Sequence, residues 1–144
     1  MDLSYPPEYL QYLYEQIASI AAVLGGFSIT TLAVLLTATP SRSIASWAAA
    51  ASGVAAGLLT GTTFLASILA SDALKTNATT FSDLTESVQP LVGIVSLSFL
   101  IGFYMLLISL GMSGWIRSRR TGIATTLAAT VGALLVTIGY LATT

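Results

Sequence analysis

Charged residues stand at positions 2, 8, 15, 42, 72, 75, 83, 86, 117, 119 and 120, and the stretches between them are apolar or small and polar. There are 26 uncharged residues between Glu15 and Arg42, 29 between Arg42 and Asp72, and 30 between Glu86 and Arg117. A further 24 run from Thr121 to Thr144. A bilayer core about 30 Å thick is crossed by ~20 residues of helix, and each stretch exceeds that. The pattern predicts spans at 17–39, 44–70, 91–113 and 122–142. Helices are expected because each satisfies its own backbone hydrogen bonds in lipid, and the alternation of a β-barrel is missing. The expected fold is an all-α integral membrane protein: one four-transmembrane-helix bundle over residues 1–144, assembled as a homo-oligomer.

The first span extends backwards. Ser4-Tyr5-Pro6-Pro7-Glu8 reads as a cap and a first helical turn, and no proline follows Pro7 until Pro40. One helix of about 50 Å at ~1.5 Å per residue is expected, longer than the membrane is thick. Residues 1–16 form its interfacial part, acidic at Asp2, Glu8 and Glu15, with Tyr5, Tyr9, Tyr12 and Tyr14 as a headgroup-level belt. An acidic start and the lack of an A-x-A site argue against a cleavable signal.

The linkers set an expected orientation. Thr39-Pro40-Ser41-Arg42-Ser43 is a tight turn, with Ser41 or Ser43 capping the second helix. Trp115 to Arg120 form a second, basic turn, and the two turns together hold four of the five basic residues. The positive-inside rule places both turns in the cytoplasm and both termini outside a cell membrane crossed four times. On the outer side lies the 72–90 loop. Thr80-x-x-Asp83 and Asp83-x-x-Glu86 resemble capping boxes there, and Phe81, Leu84 and Val88 share a helical face, predicting a short interfacial helix that leads to Pro90.

Composition narrows the function. Only 8% of residues are charged, against roughly 25% in soluble domains, and the mean hydropathy is +0.87. A net charge of −1 without a basic stripe argues against nucleic acid as a partner. With neither Cys nor His in the chain, disulfides and thiolate or imidazole metal sites are excluded, and no metal or cofactor is expected. No ionisable residue lies inside a predicted span, which weighs against ion-coupled transport and against an enzyme; no catalytic residue is assigned.

Two stripes remain. In the second span Ala49, Gly53, Gly57 and Gly61 recur every four residues, a G-x-x-x-G series that lets backbones approach closely. Its partner helix could belong to the same chain or to another. In the first span Glu15, Ser19, Ala22, Gly26, Thr30, Ala33 and Thr37 follow a 4-3-4-4-3-4 spacing along one face, opposite Ile17, Ile20, Leu24, Phe27, Val34 and Leu35. The third and fourth spans carry smaller stripes, at Ser98, Gly102 and Ser109 and at Thr125, Gly132 and Gly139. Several first helices around an axis would line a narrow path with small and hydroxyl-bearing side chains, opened by a ring of carboxylates. The expectation is a small oligomeric channel passing ions or small solutes, with a cation as one candidate and the lipid bilayer and further copies of the chain as partners. The competing reading is a non-conducting anchor or assembly subunit, in which the stripe is a packing face. Residues 22–27 are similar over about ten residues to the pore helix of Orai-type calcium channels, but that family's acidic filter would fall near Val34 and its basic inner segment is missing. No family is assigned on the sequence.

Overall fold

The computed structural model describes residues 8–38, 43–78, 80 and 83–143. The chain is all-helical. It consists of α1 (Glu8–Ala38), α2 (Ser43–Thr76), α3 (Gln89–Arg117) and α4 (Arg119–Thr143). All four are long and apolar enough to cross a membrane. The expected spans at 44–70, 91–113 and 122–142 fall inside these helices, and α1 runs unbroken from Glu8 to Ala38, through the described parts of the interfacial segment and the first span. The predicted cap at Ser4, Tyr5 of the aromatic belt and the turn at residues 39–42 lie outside the described residues.

At 31 and 34 residues, α1 and α2 are about 46 and 51 Å long at ~1.5 Å per residue, longer than the ~30 Å that a hydrocarbon core is thick, so that in a bilayer one end of the pair would project. The projecting end is the best-packed part of the molecule. Leu10 and Tyr14 of α1 meet Ala66, Leu69, Ala70 and Ala73 of α2, Ala78 and Leu84 of the loop, and Val95 of α3. Tyr14, expected at headgroup level, is 3% exposed inside this core, whereas Tyr9 and Tyr12 stay outside. At ~100° per residue Tyr14 lies about 140° around the helix from Tyr9, so the two rings face different sides.

α2 ends with Asn77 at φ 50, a left-handed position that Asn tolerates better than most residues. The Ala78 N–H donates to the Ala73 carbonyl at 3.1 Å, the six-to-one bond of a Schellman end, and both alanines are fully buried. The loop then folds back on the helix. The Asp72 carboxylate accepts from the Thr85 N–H at 3.0 Å and from its hydroxyl at 2.9 Å. The Thr80 N–H donates to Asp83 Oδ2 at 2.8 Å, the return half of the expected capping box. No α-helix follows among the described residues of the loop, however. The described residues of the loop form turns, and Leu84 is buried in the core rather than laid on the interface. Phe81 lies outside the described residues.

α3 starts with Pro90 in its first turn, where a missing N–H costs nothing. One residue separates it from α4. Ser118 is extended, at φ −163 and ψ 159, and its N–H still reaches the Gly114 carbonyl. Its Oγ accepts from the Thr121 N–H at 3.1 Å, capping α4. The sequence expectation of a six-residue basic turn is therefore compressed into a single hinge, with the arginines absorbed into the helix ends.

The helices pack in chain order: α1 on α2, α2 on α3, α3 on α4, with α1 only brushing α3. The expected bundle is an open row, with α1 at one end and α4 at the other. Close approach comes where glycine permits it. A Cβ on Gly102 of α3 would stand 3.0 Å from Leu59 Cγ of α2, and one on Gly114 would overlap the Thr125 side chain of α4. Between α2 and α3, Ser52 and Ser109 share a buried hydrogen bond of 2.5 Å, and the Ser109 hydroxyl also reaches the Ala48 carbonyl at 3.0 Å. Elsewhere large apolar side chains point outward, Val23, Leu36, Phe64 and Leu135 among them, each about two-thirds or more exposed. A lipid solvent covers such a surface at no cost; water would not.

Candidate functional site

The α1 stripe stays together. Glu15, Ser19, Ala22, Gly26, Thr30, Ala33 and Thr37 are all exposed, along a face that no other helix of the chain covers. Their mean spacing of ~3.7 residues matches the helical repeat closely, so the line does not wander round the helix. The opposite flank divides. Ile17, Leu24 and Leu35 pack inward against the other helices, and Ile20, Phe27 and Val34 are about half exposed.

At the top of the stripe the Glu15 carboxylate accepts from Gln11 Nε2 at 2.8 Å, one turn earlier on the same helix. It borders two adjoining open grooves at the projecting end, one toward Glu8, Tyr9 and Tyr12, the other toward Ser19, Ser67 and Ser71. Deeper in, the hydroxyls turn back on their own helix. Thr30 donates to the Gly26 carbonyl at 3.0 Å and Thr37 to the Ala33 carbonyl at 2.9 Å. Each hydroxyl keeps its oxygen lone pairs facing outward as acceptors. Thr30 and Thr37 can therefore offer acceptors to a cation or to water but no free donor, and Gly26 has nothing within 4 Å of a Cβ position.

The α2 stripe behaves differently. Ala49 is buried with Leu35 and Ala48. Gly53 has only Leu32 Cδ2 near it, at 3.9 Å, while Gly57 and Gly61 face open space. A strict four-residue spacing advances 400° per step, so the line rotates by about 40° each time and by ~120° from Ala49 to Gly61. One end lies against α1 and the other has turned away from the chain. Inside the chain the glycines that make close contacts are Gly25, Gly102, Gly111, Gly114 and Gly122. The smaller stripes on α3 and α4 do face neighbours: Gly102 and Ser109 meet α2, and Thr125 and Gly132 meet α3. The surroundings of Gly139 lie outside the described residues.

Three features were not singled out from the sequence. The Tyr14 hydroxyl is buried without a hydrogen-bond partner. The Ser52–Ser109 pair joins two helices, and the only hint was that Ser109 belongs to a small-residue stripe. A membrane-level groove lies between α3 and α4, bordered by Tyr104 and Trp115. Among the described residues no three acidic side chains gather as metal ligands.

The charges are unevenly divided between the ends. Glu8, Glu15, Asp72, Asp83 and Glu86, with Lys75 as the one cation among them, belong to the end formed by the start of α1, the finish of α2 and the loop, while Arg119 and Arg120 open α4 at the other. No family profile, curated protein or solved structure matches the chain, so its function rests on this geometry alone.

Proposed function

We propose that the protein is a small oligomeric membrane channel in which the α1 helices of several copies line the path. One observation carries the reading: α1 stands at the end of the helix row with its small and hydroxyl-bearing stripe uncovered from Glu15 to Thr37. In a ring of subunits that edge can face an axis while α4 faces lipid. Glu15 then contributes to a carboxylate ring at the mouth, which concentrates cations and excludes anions, an effect screened as salt rises. Gly57 and Gly61 supply a second uncovered face for contact between copies. By the positive-inside rule the arginine end is cytoplasmic, and both termini and the acidic mouth are outside the cell membrane. A second reading, a non-conducting anchor or assembly subunit, is favoured by the Thr30 and Thr37 hydroxyls being already bonded to their own helix.

The test is flux from purified protein in liposomes, after the number of copies has been measured in detergent. Glu15→Gln should lower cation flux or cation-over-anion selectivity at low salt and leave the oligomer unchanged. Thr30→Cys should react with small water-soluble thiol reagents, whereas Leu24→Cys, packed beside Leu59 and Leu106, should be protected. The chain contains no native Cys to interfere. Absence of flux together with equal protection at both positions would leave the anchor reading.

A further inference from the structure

The groove between α3 and α4 has room for about 470 Å³ and is bordered by Tyr104, Gly111, Trp115, Thr126, Ala129 and Ala133, among others. Its polar side chains are already committed. The Trp115 indole donates to Thr126 Oγ1 at 3.0 Å, Tyr104 and Thr137 share a bond of 2.6 Å, and Thr130 donates to the Thr126 carbonyl at 2.8 Å. An occupant is therefore asked for shape and apolar surface, not for hydrogen bonds. From Tyr104 to Trp115 the groove follows 11 residues of α3, about 16 Å at ~1.5 Å per residue. That is close to half of the ~30 Å hydrocarbon core, the depth of one leaflet.

Charge selects the occupant further. Beyond the Trp115 end, Arg119 and Arg120 occupy the first turn of α4, where the helix dipole disfavours cations. Both are exposed, neither makes an ion pair among the described residues, and every acidic residue after Glu15 lies between positions 72 and 86, at the opposite end. The two guanidinia are thus open to an anion from outside the chain. We propose that the α3/α4 groove holds one acyl chain of an anionic phospholipid, whose phosphate-bearing headgroup is held by Arg119 and Arg120. A basic site between helices at the headgroup level suits such a lipid, and the occupant would fill the side of α3 that α4 leaves bare.

Nanodiscs of phosphatidylcholine containing a minor fraction of phosphatidylglycerol with brominated chains provide the test. In the Trp47→Phe background Trp115 is the only tryptophan, so bromine in the groove quenches it. Quenching should exceed what random mixing gives, and should exceed that from brominated phosphatidylcholine at the same fraction. Arg119→Gln with Arg120→Gln should cut this preference by roughly an order of magnitude. Ala133→Phe, which fills the groove without touching the arginines, should lower quenching by both lipids. Native mass spectrometry of the detergent-solubilised protein should retain phosphatidylglycerol in preference to phosphatidylcholine, and added inorganic phosphate should not displace it. Equal quenching by the two headgroups, or a preference that survives loss of both arginines, would overturn the headgroup assignment. Quenching unchanged by Ala133→Phe would overturn the groove, and displacement by phosphate would make the site one for the free anion.

Discussion

Two regions of the molecule, the acidic end of the helices and the α4 edge of the row, are held together in different ways. At the acidic end three helices and a loop share one core, with Leu10, Leu69, Leu84 and Val95 each at most 3% exposed. The loop is tied down by two hydrogen bonds to Asp72. At the other edge α4 buries only 6% of its most apolar window and is attached by glycine contacts, the Trp115–Thr126 bond and the Tyr104–Thr137 bond. With the four helices placed across a bilayer, the first region would project beyond the hydrocarbon, where burying apolar surface removes it from water and so drives folding. The second would lie within lipid, where apolar contact offers little net drive and close backbone approach has to substitute. In that placement the same chain would fold by a soluble-protein logic in one region and by a membrane logic in the other.

The largest expected effect is in the shared core. Leu69 is fully buried between α1 and α3, so Leu69→Ala should lower stability by about 2–5 kcal/mol, the range for cavities of this size. Denaturant or thermal unfolding in detergent would read it. A loss below ~1 kcal/mol would mean that the projecting end is not packed as a core.

Next come the glycines, which separate contacts within the chain from contacts between copies. Gly114→Ala puts a methyl group into the Thr125 side chain and 2.9 Å from the Thr121 carbonyl. Overpacking of this kind costs about 1–3 kcal/mol, and it should act by unseating α4, seen as faster proteolysis of the α3–α4 hinge. Gly57→Leu adds more bulk but meets nothing within 4 Å in the chain. It should leave the unfolding of a single chain nearly unchanged and weaken only the oligomer, measured by mass in detergent. A Gly57→Leu protein that stays fully oligomeric would remove the α2 face as an inter-copy contact.

Most of the architecture was legible because charge is so sparse. The four gaps between charges give the spans, Pro90 marks a helix start, and Asp83 sits where a cap requires it. Which face points inward was much less legible. In lipid the packed and the exposed faces are both apolar, so hydrophobic periodicity, the usual guide, carries little information. Small residues replace it as the signal, and on α2 they do not say which chain the partner helix belongs to: the drift of a four-residue repeat turns Gly57 and Gly61 away from this chain. They succeeded on α3, where Gly102 and Ser109 are seven residues apart and stay on one face. The loop was misread because Leu84 and Val88 suit an interfacial helix and a buried turn equally well. What decides between them is Leu10 and Tyr14, more than 70 residues earlier.

Tyr14 gives the smallest expected effect and the sharpest check on the core. Its ring fills space among Leu10, Leu69 and Leu84, while its hydroxyl is buried with no donor or acceptor to meet it. The ring contributes by packing, and the hydroxyl costs the desolvation of one polar group, about 1–3 kcal/mol if it is fully unsatisfied. Tyr14→Phe keeps the ring and removes that cost, so the variant should be as stable as the parent or up to ~2 kcal/mol more stable. Tyr9→Phe and Tyr12→Phe, at exposed positions, should change little. If Tyr14→Phe instead lost more than ~1 kcal/mol, the hydroxyl would have a partner, such as a buried water bridging to a backbone carbonyl. The projecting end would then owe part of its stability to a polar contact within the apolar core, and its contrast with the α3–α4 edge would narrow.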